Sequence, residues 1–585
     1  MTAFSRDLPF GATLLGDDRV RFRLWAPGRR AASVEIEGGP AVPLVARDGG
    51  WFDGEAACRP GAHYRYRFED GLAVPDPASR AQATDVHDAS VVVDPRAYRW
   101  RHPEWRGRPW RETVLYELHA GLLGGFAGIR QRLPDLVRLG VTAVELMPIN
   151  DFPGRRNWGY DGVLPFAPDS AYGRPDELKA LVDEAHGLGL MIFLDVVYNH
   201  FGPDGNYLGA YAPPFFRTDL HTPWGVAIDF RRPEVRRFFT ENALYWLMEY
   251  RVDGLRLDAV HAIASPDWLD EMAAAVRATV EPGRHVHLVL EHDGNAADHL
   301  RRGFDAQWND DAHHVLHVLL TGERDGYYAD FADRPAERLA RCLAEGFAYQ
   351  GEASEYRHGE RRGSPSADLP PGAFVLFLQN HDQVGNRPFG DRLIERADPT
   401  ALEAAIALQL LCPQVPLLFM GEEDGCRAPF LYFTDHHGAL ADAVREGRRQ
   451  EFAGFKGFAA GEGTASIPDP NAPETFERSR PTGHDSARRA LYERLLALRA
   501  RRLVPYLGEA RSLGAEAIGR AGVVARWRLG DGQRLTLVSV LADEVVPVTL
   551  AMGELLFESR VGAAADLRRG RLHGPATVAL LETVS

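Results

Sequence analysis

The sequence predicts an α/β fold, a (β/α)8 TIM barrel flanked by an N-terminal β-sandwich and a C-terminal β-sandwich. Three observations predict it. Eight short apolar segments alternate in order with amphipathic helical stretches, and no Rossmann glycine fingerprint favours a doubly wound sheet. Before them lie period-two strands separated by Gly, Pro and Asp clusters, and after them a shorter set of the same kind returns. At 585 residues the chain exceeds what one hydrophobic core holds, so several domains are expected.

Taken in order, residues 1–95 read as the first sandwich, with "VRFRLWAP", "SVEIEG" and "HYRYRFED" alternating apolar and polar. Trp25 and Trp51 are expected to be buried sandwich tryptophans rather than sugar platforms. The barrel is expected over 96–504. Its strands are "TVLYELHA", "TAVELMPI", "LMIFLDVVYNH", "VDGLRLDAV", "HVHLVLEH", "FDAQWND", "AFVLFLQNHD" and "VPLLFMGEE". Stretches such as "GIRQRLPDLVRLG", "PEVRRFFTENALYWLMEY" and "TALEAAIALQLLC" supply helices between them, and "ARRALYERLLALRARR" closes the set. A loop subdomain at about 199–232, rich in Gly, Pro and aromatics, follows the third strand. A second long loop, Tyr349 to Pro371, precedes the seventh. Loops of this length inside a compact domain are commonly functional. Residues 505–585, with "GVVARWRL" and "RLTLVSVL", read as the second sandwich.

Composition removes whole classes of function. A formal charge of −15 argues against nucleic acid or an anionic membrane as partner, since both need basic patches. Lysine occurs twice, at Lys179 and Lys456. Helical spacing leaves Lys179 exposed, so Schiff-base chemistry, which needs a buried amine, is not expected. Cys58, Cys342, Cys412 and Cys426 are scattered and form no CxxC pair, so neither a disulfide framework nor a zinc site is implied. The uncharged run Ala404 to Met420 is broken by Pro413 and Pro416 and reads as a buried helix followed by a buried strand. The N-terminus lacks a basic region followed by a long apolar run, so no signal peptide is expected and the cytoplasm is the default location.

The segment "YRVDGLRLDAVHAI" carries the chemistry. Side chains alternate in a strand, so Leu255, Leu257 and Ala259 share one face and Arg256 and Asp258 the other. A charge withdrawn from water costs several kcal/mol unless paired. Other strands end in the same way: Asp195 with Asn199 and His200, Glu291, and then Asn380, His381 and Asp382. In a barrel these ends converge on one face, where active sites lie. Two carboxylates across a substrate suit glycoside hydrolysis, one attacking the anomeric carbon and the other serving as acid and then base. Arg256 beside Asp258 favours the ionised form and lowers its pKa. Glu291 has no cation adjacent in sequence, and like charge from Asp258 and Asp382 is expected to raise its pKa.

"DVVYNH", "GLRLDAVHA", the Glu of "LVLEHDGN" and "LQNHDQVGN" resemble, in order, the four short motifs of the α-amylase family of glycoside hydrolases. The resemblance implies that Asp258 is the nucleophile, Glu291 the acid/base and Asp382 the stabiliser of the transition state. It implies that Arg256, His200 and His381 support the sugar being cleaved, and that Asp195 and Asn199 are more structural. "NWGYDG" resembles the element whose Tyr160 stacks on that sugar, with Asp161 beside it. His261 and Arg387, in the same motif stretches, are added as substrate-binding candidates. The likeness runs through most of the chain and is nearest to members that cut the α-1,4 bond next to the terminal trehalose of maltooligosyltrehalose, releasing trehalose. Such an enzyme would act after a maltooligosyltrehalose synthase, without needing a stable complex with it. The alternative is an α-1,4-glucan branching or α-1,6-debranching enzyme with the same acids. Chemistry of this kind calls for no metal and no cofactor.

Two weaker patterns are set aside. His313 and His317, four apart with Asp310 near, have the spacing of a metal pair. No second pair and no HExxH accompany them, so locally satisfied histidines are expected. Gly121, Gly124 and Gly125 lack both GxGxxG spacing and a following Lys, and read as a tight turn rather than a phosphate loop.

Overall fold

The computed structural model describes residues 2–16, 18–452, 467–550 and 553–583. In the N-terminal part of the chain, period-two sequences become two facing sheets. One runs Gly11–Gly16, Arg19–Trp25, Trp51–Ala57, Val45–Arg47 in spatial order; the other is built around Ala32–Ile36 and His63–Phe68. Val20, Phe22 and Leu24 point inward against Tyr64, Tyr66 and Phe68, and the rings of Phe22 and Tyr64 meet edge to face at 4.9 Å. Trp25 and Trp51 lie opposite each other in register but stay half-buried, which corrects the expectation of buried rings. The Trp25 indole donates to Gly49 O, and the Arg23 guanidinium covers Trp51 at 4.6 Å.

The central strands close into an eight-stranded parallel barrel: β1 Leu115–Leu118, β2 Ala143–Leu146, β3 Met191–Val196, β4 Gly254–Leu257, β5 His287–Leu290, β6 Ala306–Trp308, β7 Phe374–Phe377 and β8 Val415–Phe419. β1 pairs with both β2 and β8, which removes the sheet edges. Helices α1 Gly125–Leu139, α2 Pro175–Gly187, α3 Pro233–Met248, α4 Asp267–Thr279, α5 Asp310–Thr321, α6 Pro335–Glu345, α7 Pro399–Leu411 and α8 Ser486–Arg502 surround it. The uncharged run divides into α7 and β8, each packed in the core. Gly124 and Gly125, at φ 85° and 71°, make the turn into α1; a Cβ on Gly125 would sit 2.4 Å from Tyr172 O, so no other residue fits.

Inside the barrel, sequence alternation is converted into two levels. Leu115, Ala143, Met191, Phe193, Val289, Val375, Phe377, Val415 and Leu417 fill an apolar plug. Gly254 belongs to this level, because a Cβ there would lie 2.2 Å from the Phe193 ring. Two residues further along, the inward positions become Glu117, Glu145, Asp195 and Arg256, with Glu117 opposite Glu145 and Asp195 opposite Arg256. The plug withholds water from beneath, so the polar level can be hydrated only from the C-terminal rim.

Two insertions rise from that rim: the hairpin Phe216–Thr222/Gly225–Ile228 after β3, and the hairpin Glu352–Ala353/Arg361–Arg362 before β7. The chain ends in a five-stranded sheet, ordered Arg511–Ile518, Gly522–Arg528, Arg534–Val540, Ala576–Glu582, Glu554–Glu558, beside a two-stranded one. Thr577 donates to Ala404 O at 2.7 Å and ties that sheet to α7.

Lys179 reverses its expected position. On α2 it is fully buried, its ammonium 3.5 Å from Glu249, 3.1 Å from Pro95 O and 5.0 Å from the Tyr250 ring centroid. The helical pattern marked its face as polar, but the chain segment at Pro95 covers that face. Burial pulls the Lys179 pKa below the lysine range, against the opposing pull of Glu249. No helix among the described residues is long and apolar enough to cross a membrane.

Candidate active site

The polar level of the barrel opens into a cavity of about 740 Å³ at the C-terminal rim. Asp258, Glu291 and Asp382 all line it, together with Tyr160, Asp161, His200, Arg256, His261 and His381. Each arrives from a different strand end, as β4, β5 and β7 pass into their loops.

Arg256 organises the floor. One amino nitrogen lies 2.6 Å from Asp195 and 2.8 Å from Asp258; the other lies 3.0 Å from Glu291. The guanidinium rests over Trp308 at 4.2 Å. A planar cation with a rigid fork of donors can hold three carboxylates at once, where a lysine could not. The sequence assigned Arg256 to Asp258 alone, and the contact with Glu291 comes only from the pairing of β4 with β5.

Asp258 is held by a second donor. Asn199 gives 2.8 Å to its free oxygen and 2.9 Å to its backbone carbonyl. The next residue, Ala259, has left the strand for the left-handed region at φ 40°, ψ 46°, which ends the expected alternation at Leu257. That turn aims the Ala259 N–H at Glu291 Oε2, 2.6 Å away. A non-glycine residue in this conformation costs about 1–2 kcal/mol, and the contact to Glu291 gives the strain a purpose.

Burial pushes the pKa of Glu291 well above the ordinary glutamate range. Arg256 opposes the shift, and Asp258, Asp310 and Asp382 add to it. The direction matches the sequence reading; the leading cause is desolvation, with like charge second to it. Asp310, the first residue of α5, is a cavity residue whose part in this the sequence reading missed, and burial raises its own pKa to about 7.

A second cluster stands behind the first. Tyr160 donates to Asp195 at 2.6 Å, lies 2.8 Å from His381 Nε2 and stacks on that ring. Glu117 grips His381 through Nδ1 at 2.5 Å and the backbone N–H at 2.9 Å. Burial opposes the imidazolium, but Glu117 and Asp382 outweigh it and the His381 pKa rises. Asp195, buried, is raised to about 6 despite Arg256. Glu117 was legible in principle: like Arg256, it is a charge inside an apolar strand. So was Glu145, whose two carboxyl oxygens have no hydrogen-bond partner and whose pKa burial drives well up.

The remaining candidates divide. His200 sits under Trp224 of the first hairpin, ring centroids 5.5 Å apart, and contacts Tyr160 O. Asp161 accepts from Asn157 at 2.6 Å, with His436 at 3.4 Å; burial opposes its ionisation, but these partners bring its pKa below the usual carboxylate range. His261 accepts from the Asp293 N–H at 3.3 Å. Asp382 accepts from Asn386 at 2.5 Å. Arg387 stands apart from the others: both its amino nitrogens are taken by Glu323, at 2.8 and 2.9 Å, and it is not among the residues that line the cavity. Nothing in "QVGNRPFGDR" pointed to a carboxylate so far back in the chain. His317 is taken by the same Glu323 at 2.6 Å, and no group of three His, Cys, Asp or Glu among the described residues is arranged to hold a metal ion.

Comparison with known proteins decides the family. A model described as the alpha amylase catalytic domain matches residues 67–211, and one described as a domain of unknown function (DUF3459) matches residues 510–581. A malto-oligosyltrehalose trehalohydrolase of Deinococcus radiodurans is 42% identical over 507 residues, covering 84% of this chain and 82% of its own length. The chain belongs to the malto-oligosyltrehalose trehalohydrolase family. It is therefore a glycoside hydrolase of the α-amylase type. A second member, from Arthrobacter ramosus, is 38% identical and covers 93% of this chain and 97% of itself. A crystal structure titled as a putative alpha amylase from Salmonella typhimurium superposes with a TM-score of 0.92 at 44% identity, covering 99% of this chain and 100% of that one. A 1,4-alpha-glucan branching enzyme of Jannaschia sp. is 34% identical over 43% of this chain and 40% of its own length, a partial match that leaves the branching alternative without whole-chain support.

Proposed function

We propose that the chain hydrolyses the α-1,4-glucosidic bond next to the terminal trehalose of maltooligosyltrehalose, with retention at the anomeric carbon. The observation that carries this reading is the sharing of one guanidinium by Asp258 and Glu291, 2.8 and 3.0 Å from its two amino nitrogens, which keeps both carboxyls at one rim as the double displacement of a retaining enzyme requires. Asp258, ionised, attacks the anomeric carbon as the glycosidic C–O bond breaks, and Glu291 delivers its proton to the departing trehalose oxygen. Glu291, now a carboxylate, takes a proton from water. The resulting hydroxide forms the new C–O bond at the anomeric carbon and frees Asp258. Asp382 holds hydroxyls of the same sugar, and Tyr160 offers it a ring face. The leaving group must lie on the Glu291 side. The second rim insertion stands there, with Tyr356 and Arg357 in the cavity wall and Arg357 donating to the carbonyl of Asp293, two residues beyond Glu291.

The same reading divides the chain at about residues 95 and 504, places the protein in the cytoplasm, where its four free cysteines stay reduced, and puts it after a synthase that builds the trehalose cap. Asp258, Glu291 and Asp382 reach the cavity from one chain, which supports action without a stable complex. Incubation with trehalose-capped maltohexaose, amylose and a branched glucan, followed by product analysis, tests it. Trehalose released from the first substrate is the expected result. Branches made or cut, with no trehalose, would overturn it.

A further inference from the structure

The residue that captures Arg387 sits where several elements meet. Glu323 follows α5 directly, after Gly322 at φ 74°. It accepts from Arg387 through both oxygens, lies 2.6 Å from His317 of α5, and is paired with Arg396. Burial raises its pKa, but His317 and Arg387 outweigh that and leave it well below the glutamate range. Three cationic or proton-bearing partners on one carboxylate fix the segment that follows α5 against the segment that follows β7. That second segment carries Asp382.

The pinned segment is cavity wall. The His317 ring stacks on Tyr328 at 4.2 Å and 11°, and Tyr328 packs on Tyr327 at 4.6 Å. Tyr327, Asp330 and Phe331 face the cavity, and the Tyr327 hydroxyl reaches Gln383, the neighbour of Asp382, at 3.4 Å. Asp330 in turn accepts from Ser354 Oγ at 2.5 Å and from the Tyr356 N–H at 2.9 Å, so the second rim hairpin hangs from the same segment. Glu323 itself does not line the cavity.

We propose that Glu323 is a positioning residue, which sets the cavity wall on the leaving-group side by clamping residues 322–332 through Arg387, Arg396 and His317. The identity of the leaving group rests on the function proposed above; the clamp does not. Loss of the fork lets Tyr327 and the hairpin behind Asp330 drift while Asp258, Glu291 and Arg256 stay fixed by the barrel. A shift near 1 Å in a positioning contact suffices for a large kinetic effect.

The test compares Glu323→Gln and Glu323→Asp with the unaltered enzyme on trehalose-capped maltohexaose and on uncapped maltooctaose. For the Gln variant the expected result is a KM for the capped substrate raised about tenfold with kcat within about twofold, the signature of lost binding on one side. The Asp variant, which keeps the charge, should recover part of it. Arg396→Lys, at the outer edge of the clamp, provides a milder variant should the Gln protein not fold, and about a threefold rise in KM is expected of it. Unchanged KM in these variants, or a loss of kcat and melting temperature together with KM unaltered, overturns the clamp. If the unaltered enzyme cleaves only the uncapped substrate, the functional reading falls, and the same KM comparison on that substrate still decides the clamp.

Discussion

Glu291 Oε2 lies 2.6 Å from the backbone nitrogen of Ala259, the residue immediately after Asp258. The proposed acid and the neighbour of the proposed nucleophile are joined through main chain, so a change in the β4 turn is felt at Glu291. Substituting Ala259 tests this. Glycine adopts φ 40° freely, whereas a β-branched side chain is strongly disfavoured there. Ala259→Val should cost about 1–3 kcal/mol of stability and lower kcat, while Ala259→Gly should keep kcat within a few fold. Denaturant unfolding beside initial rates checks both, and equal rates in the two variants would remove the N–H from the account.

Glu291→Gln removes the proton without changing shape. Turnover of a natural glucoside should fall by about 10²–10⁴-fold, while an aryl glycoside with a good leaving group should still be attacked by Asp258. Substrate binding, read by calorimetry, should stay within a few fold. A wild-type turnover number would falsify the assignment.

Arg256→Lys keeps a charge but cannot reach Asp195, Asp258 and Glu291 together. A fall in kcat of about 10²–10³-fold is expected. Arg256 pulls the Glu291 pKa down against the effect of burial. Weakening that contact lets the pKa rise, and because Glu291 must hold its proton to act as acid, the alkaline limb of kcat/KM should move to higher pH. A limb that moves to lower pH contradicts the contact.

Glu145 predicts a stability that depends on pH. Its folded pKa is raised, so the native state keeps a proton that the unfolded chain releases above ~4.3. Its effect on stability is nil at low pH and grows more unfavourable as pH climbs towards the folded pKa. Glu145→Gln removes that penalty. The variant's gain in melting temperature over the parent should be small near pH 5 and larger near pH 8. A variant weaker by the same margin at both pH values would show that the carboxyl makes a bond the structure does not reveal.

The sequence disclosed the barrel because all eight strands are short apolar runs with polar tails, and those tails lie at one end. It disclosed the acids for the same reason, since an ion such as Asp258 or Arg256 inside an apolar strand is costly and conspicuous. What it withheld depends on contacts between elements distant along the chain. Lys179 looked exposed because its own helix shows a polar face, and only the packing of Pro95 and Glu249 closes it. The pairing of Arg387 with Glu323 stayed hidden because the two lie 64 residues apart. Arg256 looked like the partner of Asp258 alone because the pairing of β4 with β5, which brings Glu291 to it, has no local signature.

The closed environment of Lys179 has a practical corollary. An amine-acylating reagent finds that nitrogen shielded by Pro95, Glu249 and Tyr250 for as long as the first sandwich and the barrel stay together. Modification at this one position, followed by peptide mass, therefore reports the parting of those two bodies directly. Set beside a bulk optical signal of barrel melting, it would show whether that junction opens first.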